Sequence, residues 1–387
     1  MPLKNNLKRV CLSLLLLLIS ILPIFQTQAA TTEEAAKPPL KLIKFETINK
    51  TSWGVKAILA NADGSRFYTA NLEGMTVYEY DRATKKILRK LAFIPTPGKG
   101  FNYDKNVWFD SYQEKPVEAL LTHQGRFLWL SLHNAGGVVV WDLTGAETFV
   151  EGRPFKEAWL YETPDGSSKR KIRLLWIKTN TTPKVIAATP DEKYLFVSNW
   201  HSNSVSVINI DSPFPKDWNK IKELGPSPIP RGMVASADSK LLYLGQMGSD
   251  YISVIDMESF KRIRTINVGV NPRHLIRFDN YIYCSLNLGA KLVKIDTTTE
   301  KVLQKADTGR SPRTISITKD GKYIFVTCYN ADQLQVFDAD SLKLIGSWES
   351  KGRPVAAEVY QEGDLIEVWV GNHTAGTVNV FTFKAND

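Results

Sequence analysis

Seven stretches of this 387-residue chain are variations on one pattern. In FVSNWHSNSVSVINID, residues 196–211, an apolar run ends at Asn199 and a short polar loop follows. A second run, Val205 to Ile210, then alternates apolar and polar residues and stops at Asp211. Residues 242–256, 282–296 and 325–338 repeat this closely, and 67–81, 128–142 and 368–382 more faintly. The residue closing the first run is Asn71, Asn134, Asn199, Gln246, Asn287, Asn330 and Asn372, at successive spacings of 63, 65, 47, 41, 43 and 42. A period near 42 with two long insertions marks an array of small repeated units. Seven copies argue for a closed ring of seven.

Each unit opens with an apolar strand, often after proline: KPVEALL, TPKVIAAT, NPRHLIRF, SPRTISIT, RPVAAEVY. A polar turn follows, such as Asp63-Gly64, Asp238-Ser239 or Asp320-Gly321, residue types that tolerate tight-turn backbone angles. The two strands of the repeated hairpin come next, then a variable fourth strand such as 261–269 or 342–350. Four short antiparallel strands per unit without helical periodicity make a propeller blade. The expected fold is therefore all-β, a seven-bladed β-propeller over 40–387 with insertions at about 95–115 and 145–178. The last unit runs out at Phe383 without a fourth strand. The alternating segment LKLIKFETI, 40–48, is expected to supply it and remove an open edge.

KYLFVSNWHSNSVSVINID and KYIFVTCYN, each after a proline-led strand, resemble the YVTN family of β-propeller repeats. The resemblance spans about 54–383 and is strongest in the last five units. It implies an exported or cell-surface protein. It says less about function, because such propellers serve as ligand binders, surface-layer proteins and enzyme domains.

The first 30 residues differ from the rest. Lys4, Lys8 and Arg9 precede an apolar run from Leu12 to Phe25, and small residues follow at Ala29 and Ala30. This reads as a secretory signal peptide, with 31–39 a loose tail and the mature chain periplasmic, extracellular or at the cell surface, with no transmembrane segment. Removing 1–29 leaves a net charge of +6 from the original +9. That suits an anionic partner but falls short of a dedicated nucleic-acid binder. Cys284 and Cys328 remain on equivalent strands of consecutive units. An oxidising compartment favours a bond between them, while a stacked-sheet spacing of about 10 Å opposes it; the sequence leaves both states open.

The candidate site gathers on the face shared by the second-to-third-strand loops and the inter-unit loops. Arg231, Arg273 and Arg313 follow proline at the start of the innermost strand, Lys184 holds the same place one unit earlier, and Arg353 precedes the last such proline. A ring of positive charge at a channel mouth attracts anions, and guanidinium pairs with carboxylate, sulfate or phosphate. His201, His274 and His373 fall on the same face, as does His133. They stand at inequivalent repeat positions without clustered partners, so no metal site is assigned. Tyr103 and Trp108 belong to an aromatic-rich insertion that offers either a small satellite core or a stacking surface. The repeated Asn and the Asp closing the third strand read as architecture, the Asn capping the turn that follows it.

The expected function is a monomeric binding or interaction module without a cofactor. Its partner would be an anionic small molecule, a glycan or a surface protein, with nucleic acid the weaker candidate. The rival is a propeller enzyme, a lactonase-type or metal-dependent hydrolase, which requires an acid and a histidine meeting at the channel mouth. Glu73 is the residue that could join such a site. No catalytic residue is assigned, since no GxSxG, HExxH, Walker or CxxCH motif is present.

Overall fold

A computed structural model describes residues 39–49, 51–102 and 105–385. The signal segment expected over 1–30, nearly all of the 31–39 tail, and Tyr103 lie outside the described residues. Regular structure is almost entirely β, with one 3-10 turn at Pro215–Asp217. The strands form five four-stranded sheets, one nine-stranded sheet and one two-stranded hairpin. Within the four-stranded sheets neighbours are antiparallel and mostly consecutive in sequence, as the short polar turns require.

The innermost strands are Val55–Ala60, Pro116–Thr122, Pro183–Ala188, Pro230–Ala235, Pro272–Phe278, Pro312–Ile317 and Pro354–Glu362. Each packs beside the next, and the last packs beside the first. The inner strands thus surround an axis, and the second and third strands of each unit supply the core between sheets. Trp129, Trp369, Phe196, Phe325 and Phe381 are fully buried there. Cys284 and Cys328 are buried in the same layers as free thiols.

Leu40–Ile48 pairs antiparallel with Thr377–Ala385, from Leu40 against Ala385 to Ile48 against Val378. The sheet holding the chain's last strands therefore takes its outer strand from residues near the start.

The second insertion builds the nine-stranded sheet. Lys169–Lys178 pairs with Gly137–Asp142 and turns back on Phe155–Tyr161, which pairs in turn with Ile87–Phe93. One strand, Phe155–Tyr161, stitches two neighbouring units into a continuous sheet. Its inward residues Ala158 and Leu160 are buried with Leu91, Phe93, Ile172 and Leu174. The insertion extends the sheet rather than protruding as an arm.

Where the repeated Asn or Gln closes the second strand, at Asn71, Asn199 and Gln246, it has a different job from the one expected, whereas Asn134 and Asn330 lie in the turn and bond loop groups. Asn71 Nδ2 donates to Thr76 Oγ1 (3.2 Å), Asn199 Nδ2 to Ser206 Oγ (3.0 Å), and Gln246 Nε2 to Ser253 Oγ (3.0 Å). These side chains are buried and tie the second strand to hydroxyls of the third, rather than capping the turn. Asp256 and Asp338 do start turns, accepting the backbone N–H groups of Ser259 (2.8 Å) and Ser341 (2.7 Å).

Candidate functional site

Every inner strand begins with the same irregularity. Its register slips just after the first residue, as between Val55 and Ala57, Pro230 and Met233, Pro272 and His274, or Pro312 and Ile315. A proline can open a strand because its missing N–H is not needed there. The bulge that follows leaves the second residue outside the ladder and re-aims its side chain. That residue is Lys56, Val117, Lys184, Arg231, Arg273, Arg313 and Val355 around the ring. The preceding backbone is left-handed, with φ between +46° and +64° at Thr182, Ile229, Asn271, Ser311 and Arg353. For β-branched Ile229 this is a rare conformation, and such strain gathers at functional sites.

The result is a compact cluster of cations at one end of the axis. Lys184, Arg231 and Arg273 are buried, with only 5–8% of Arg273 and Arg231 exposed. Burial, with Arg313, Arg273 and Arg231 alongside, pushes the Lys56 ammonium down to about 7. Burial and the charges of Arg231, Lys56 and Arg273 hold Lys184 well below the usual lysine range. Burial and its neighbours Arg313 and Arg231 likewise depress Arg273, and Arg313 falls to about 10. Arg231 and Arg273 act on both lysines, and Arg231 acts on Arg273 and Arg313, so the groups share one electrostatic field. Among the described residues the carboxylate in that field is Glu118, whose Oε1 accepts from Arg231 Nη2 at 2.8 Å.

Aromatic faces support the cations. Lys184 Nζ lies 4.5 Å and the Arg231 guanidinium 5.2 Å from the Trp200 ring centre, and Arg313 lies 4.1 Å from that of Tyr329. Such contacts add about 0.5–2 kcal/mol each. They fix direction as well, because a stacked guanidinium presents its edge to a ligand. Below the cluster the axis holds a cavity of about 450 Å³, lined among others by Lys56, Glu118, His274, Thr314 and Glu358. Burial pushes the Glu358 carboxyl up to about 8.

The other expected residues divide. His274 lines the cavity, and burial with Arg231 and Arg273 nearby pushes it down to about 3. His373 sits at the rim and is also lowered to about 3, by burial and by Lys56 and Arg313. Both are neutral at physiological pH, and among the described residues neither ring bonds a carboxylate. Arg353 is exposed and turns outward, donating to Asn330 Oδ1 beside Tyr329. Glu73 is ion-paired with Lys115 at 2.5 Å. Among the described residues no three metal-ligating side chains converge.

The aromatic insertion is a hairpin, Pro97–Asn102 against Val107–Tyr112. It lies on the same face: Asn134 Nδ2 donates to the Tyr112 carbonyl (2.8 Å), and Phe101 and Trp108 pack at 4.5 Å and 5.1 Å from the His201 ring. Its base is anchored by Glu114, fully buried, which accepts from Thr96 N (2.8 Å) and Lys156 Nζ (2.8 Å). Val107, Trp108, Phe109 and Tyr112 keep about half their surface in water, between 47% and 49%. His201 and Trp108 thus belong to the hairpin's contact with the face.

Two residues of the mouth escape a search for proline followed by arginine. Lys56 follows Val55 instead of proline, and Glu118 stands one place further on, behind Val117. Aligning Gly54-Val55-Lys56 with Asn271-Pro272-Arg273 would have found the first. Nothing in the repeat singles out the second.

Residues 226–363 match the model of a YNCE-like beta-propeller. The solved structure of Kuenenia stuttgartiensis Hydrazine Synthase superposes with a TM-score of 0.64 over 86% of this chain and 96% of its own, at 17% identity. The fold is a β-propeller. At that identity the likeness concerns fold alone. Antigen Lp49 of Leptospira interrogans serogroup Icterohaemorrhagiae serovar copenhageni (strain Fiocruz L1-130) is 26% identical over 204 residues, covering 47% of this chain and 44% of the antigen. The propeller therefore aligns with less than half of that antigen's length. No helix among the described residues is long and apolar enough to cross a membrane.

Proposed function

We propose that this chain is an exported binding module, a seven-bladed propeller of the YVTN type that holds an anionic ligand at its cation-lined mouth. The observation that carries this is the burial of Lys184, Arg231 and Arg273 within one another's field, with Glu118 as the described carboxylate among them. Holding like charges together out of water destabilises a fold. Selection retains such a cost where a ligand offsets it. The closed ring of inner strands supports the count of seven, the nine-stranded sheet being two blades joined through Phe155–Tyr161. The basic and apolar start of the chain, and the name of its antigen relative, support export and exposure at a cell surface. The half-exposed aromatics of the hairpin suit contact with the remainder of a larger ligand, a glycan or a surface protein.

The test is calorimetric titration of residues 31–387 with inorganic phosphate and with citrate at low ionic strength. Wild type should bind. Arg273→Met with Arg313→Met should weaken binding at least about tenfold, since a charge-assisted hydrogen bond contributes roughly 1.5–3 kcal/mol. The variant should melt no lower than wild type, because it loses mutual repulsion. Absence of any anion binding to wild type would overturn the reading. A collapse of stability in the variant would assign the arginines to the scaffold.

A further inference from the structure

The donors left at the mouth say more about the anion than its sign. Arg231 uses Nη2 on Glu118, but its Nη1 is buried without a partner. Arg313 Nε is likewise buried and unpartnered. Arg273 is 5% exposed, and its Nη1 reaches only the Met247 sulfur, a weak acceptor at 3.6 Å. These three guanidinium groups come from three consecutive inner strands, so their free edges approach the axis from different directions. A carboxylate offers two oxygens in one plane. A tetrahedral oxyanion offers three around one centre and meets such a set better.

Glu118 adds a second condition. Its Oε1 is held by Arg231, while Oε2 takes no hydrogen bond among the described residues. An ionised carboxylate only accepts. A ligand oxygen placed beside Oε2 must therefore carry a proton or face repulsion. Sulfate and phosphodiesters have no such proton near neutral pH. Phosphate monoesters carry one up to their second ionisation near about pH 6, and inorganic phosphate keeps one even beyond its own.

We propose that the mouth binds a phosphoryl group that keeps a proton, its bare oxygens on Arg231, Arg273 and Arg313 and its P–OH donating to Glu118. This rests on the anion-binding reading above and narrows it to a chemical class, inorganic phosphate or a phosphate monoester. Glu118 is then the selectivity residue of the site. A site built to pair with a particular donor rejects an analogue lacking it more strongly than it rejects a change of size.

The experiment compares inorganic phosphate, glycerol phosphate, sulfate and a short single-stranded oligonucleotide by calorimetry at about pH 5.5, below the second ionisation of phosphate. Wild type should prefer phosphate to sulfate by at least about a hundredfold. Glu118→Gln, whose amide can donate as well as accept, should bring the two within about threefold, mainly by admitting sulfate. Tighter binding of glycerol phosphate than of phosphate would identify a monoester as the source, and the reverse the free ion. Sulfate binding wild type as well as phosphate would overturn the proposal while leaving an anion site. So would tighter binding of the oligonucleotide, which would point to nucleic acid. Binding of no anion at all would instead remove the reading beneath it. The wild-type comparison decides the matter even if Glu118→Gln fails to fold.

Discussion

Between about pH 7 and 10.5 an unfolded Lys56 keeps its proton while the folded one has lost it. The unfolded state binds more protons across that window, so the residue makes stability rise with pH there. Below about pH 7 both states are charged, and the burial penalty acts in full. Lys56→Met removes the penalty. Its gain in melting temperature should be greatest below pH 7 and fade towards 10.5, which thermal melts at a series of pH values would read. The same variant should weaken phosphate binding. A gain independent of pH would mean that Lys56 is not the charged group the burial argument requires. Residues of this kind were half legible in the sequence. Arg231, Arg273, Arg313 and Lys184 announce themselves by following proline. Lys56 and Glu118 do not, because Lys56 follows valine and Glu118 stands one place past the repeat's cation position, paired with Ser131, where only the folded ring brings it beside Arg231.

At the scale of elements the repeat is legible because each strand has a dry inner face and a tight polar turn. The pairing of the insertions is not. Phe155–Tyr161 alternates well enough to be a strand, but its neighbours lie at Ile87–Phe93 and Lys169–Lys178. A choice of neighbour across that distance is made by burial from both sides. Leu160 shows the outcome, fully buried in the cluster with Leu91, Ile172 and Leu174. If the insertion is part of the core, Leu160→Ala should cost about 2–5 kcal/mol, as for a buried leucine elsewhere. Urea denaturation would show it as a lowered midpoint. A cost near zero would reduce the segment to a loosely attached arm. The aromatic hairpin would be affected too, because Lys156, on the same strand, donates to Glu114 at its base.

For the whole molecule, closure is the property that no single repeat possesses. An open array of units folds by nearest-neighbour interactions and leaves two raw edges. Here Leu40–Ile48 covers the edge of Thr377–Ala385, Leu40 is buried beside Phe381 and Phe383, and Tyr323 Oη donates to the Pro39 carbonyl at 3.1 Å. The missing fourth strand at one end and the surplus alternating segment at the other made this pairing readable in advance. Removing the strand should do more than subtract its own hydrogen bonds and buried surface. A chain starting at residue 51 would expose an antiparallel edge nine residues long, backed by two phenylalanines. Such an edge recruits another strand. The truncated protein should therefore melt lower and less cooperatively than residues 31–387, and self-associate with rising concentration in size-exclusion runs. Adding the peptide LKLIKFETI should reverse both changes, since it restores the strand without restoring the covalent link. A truncated protein that stays monomeric and melts as sharply as the longer chain would show that the ring holds without its latch.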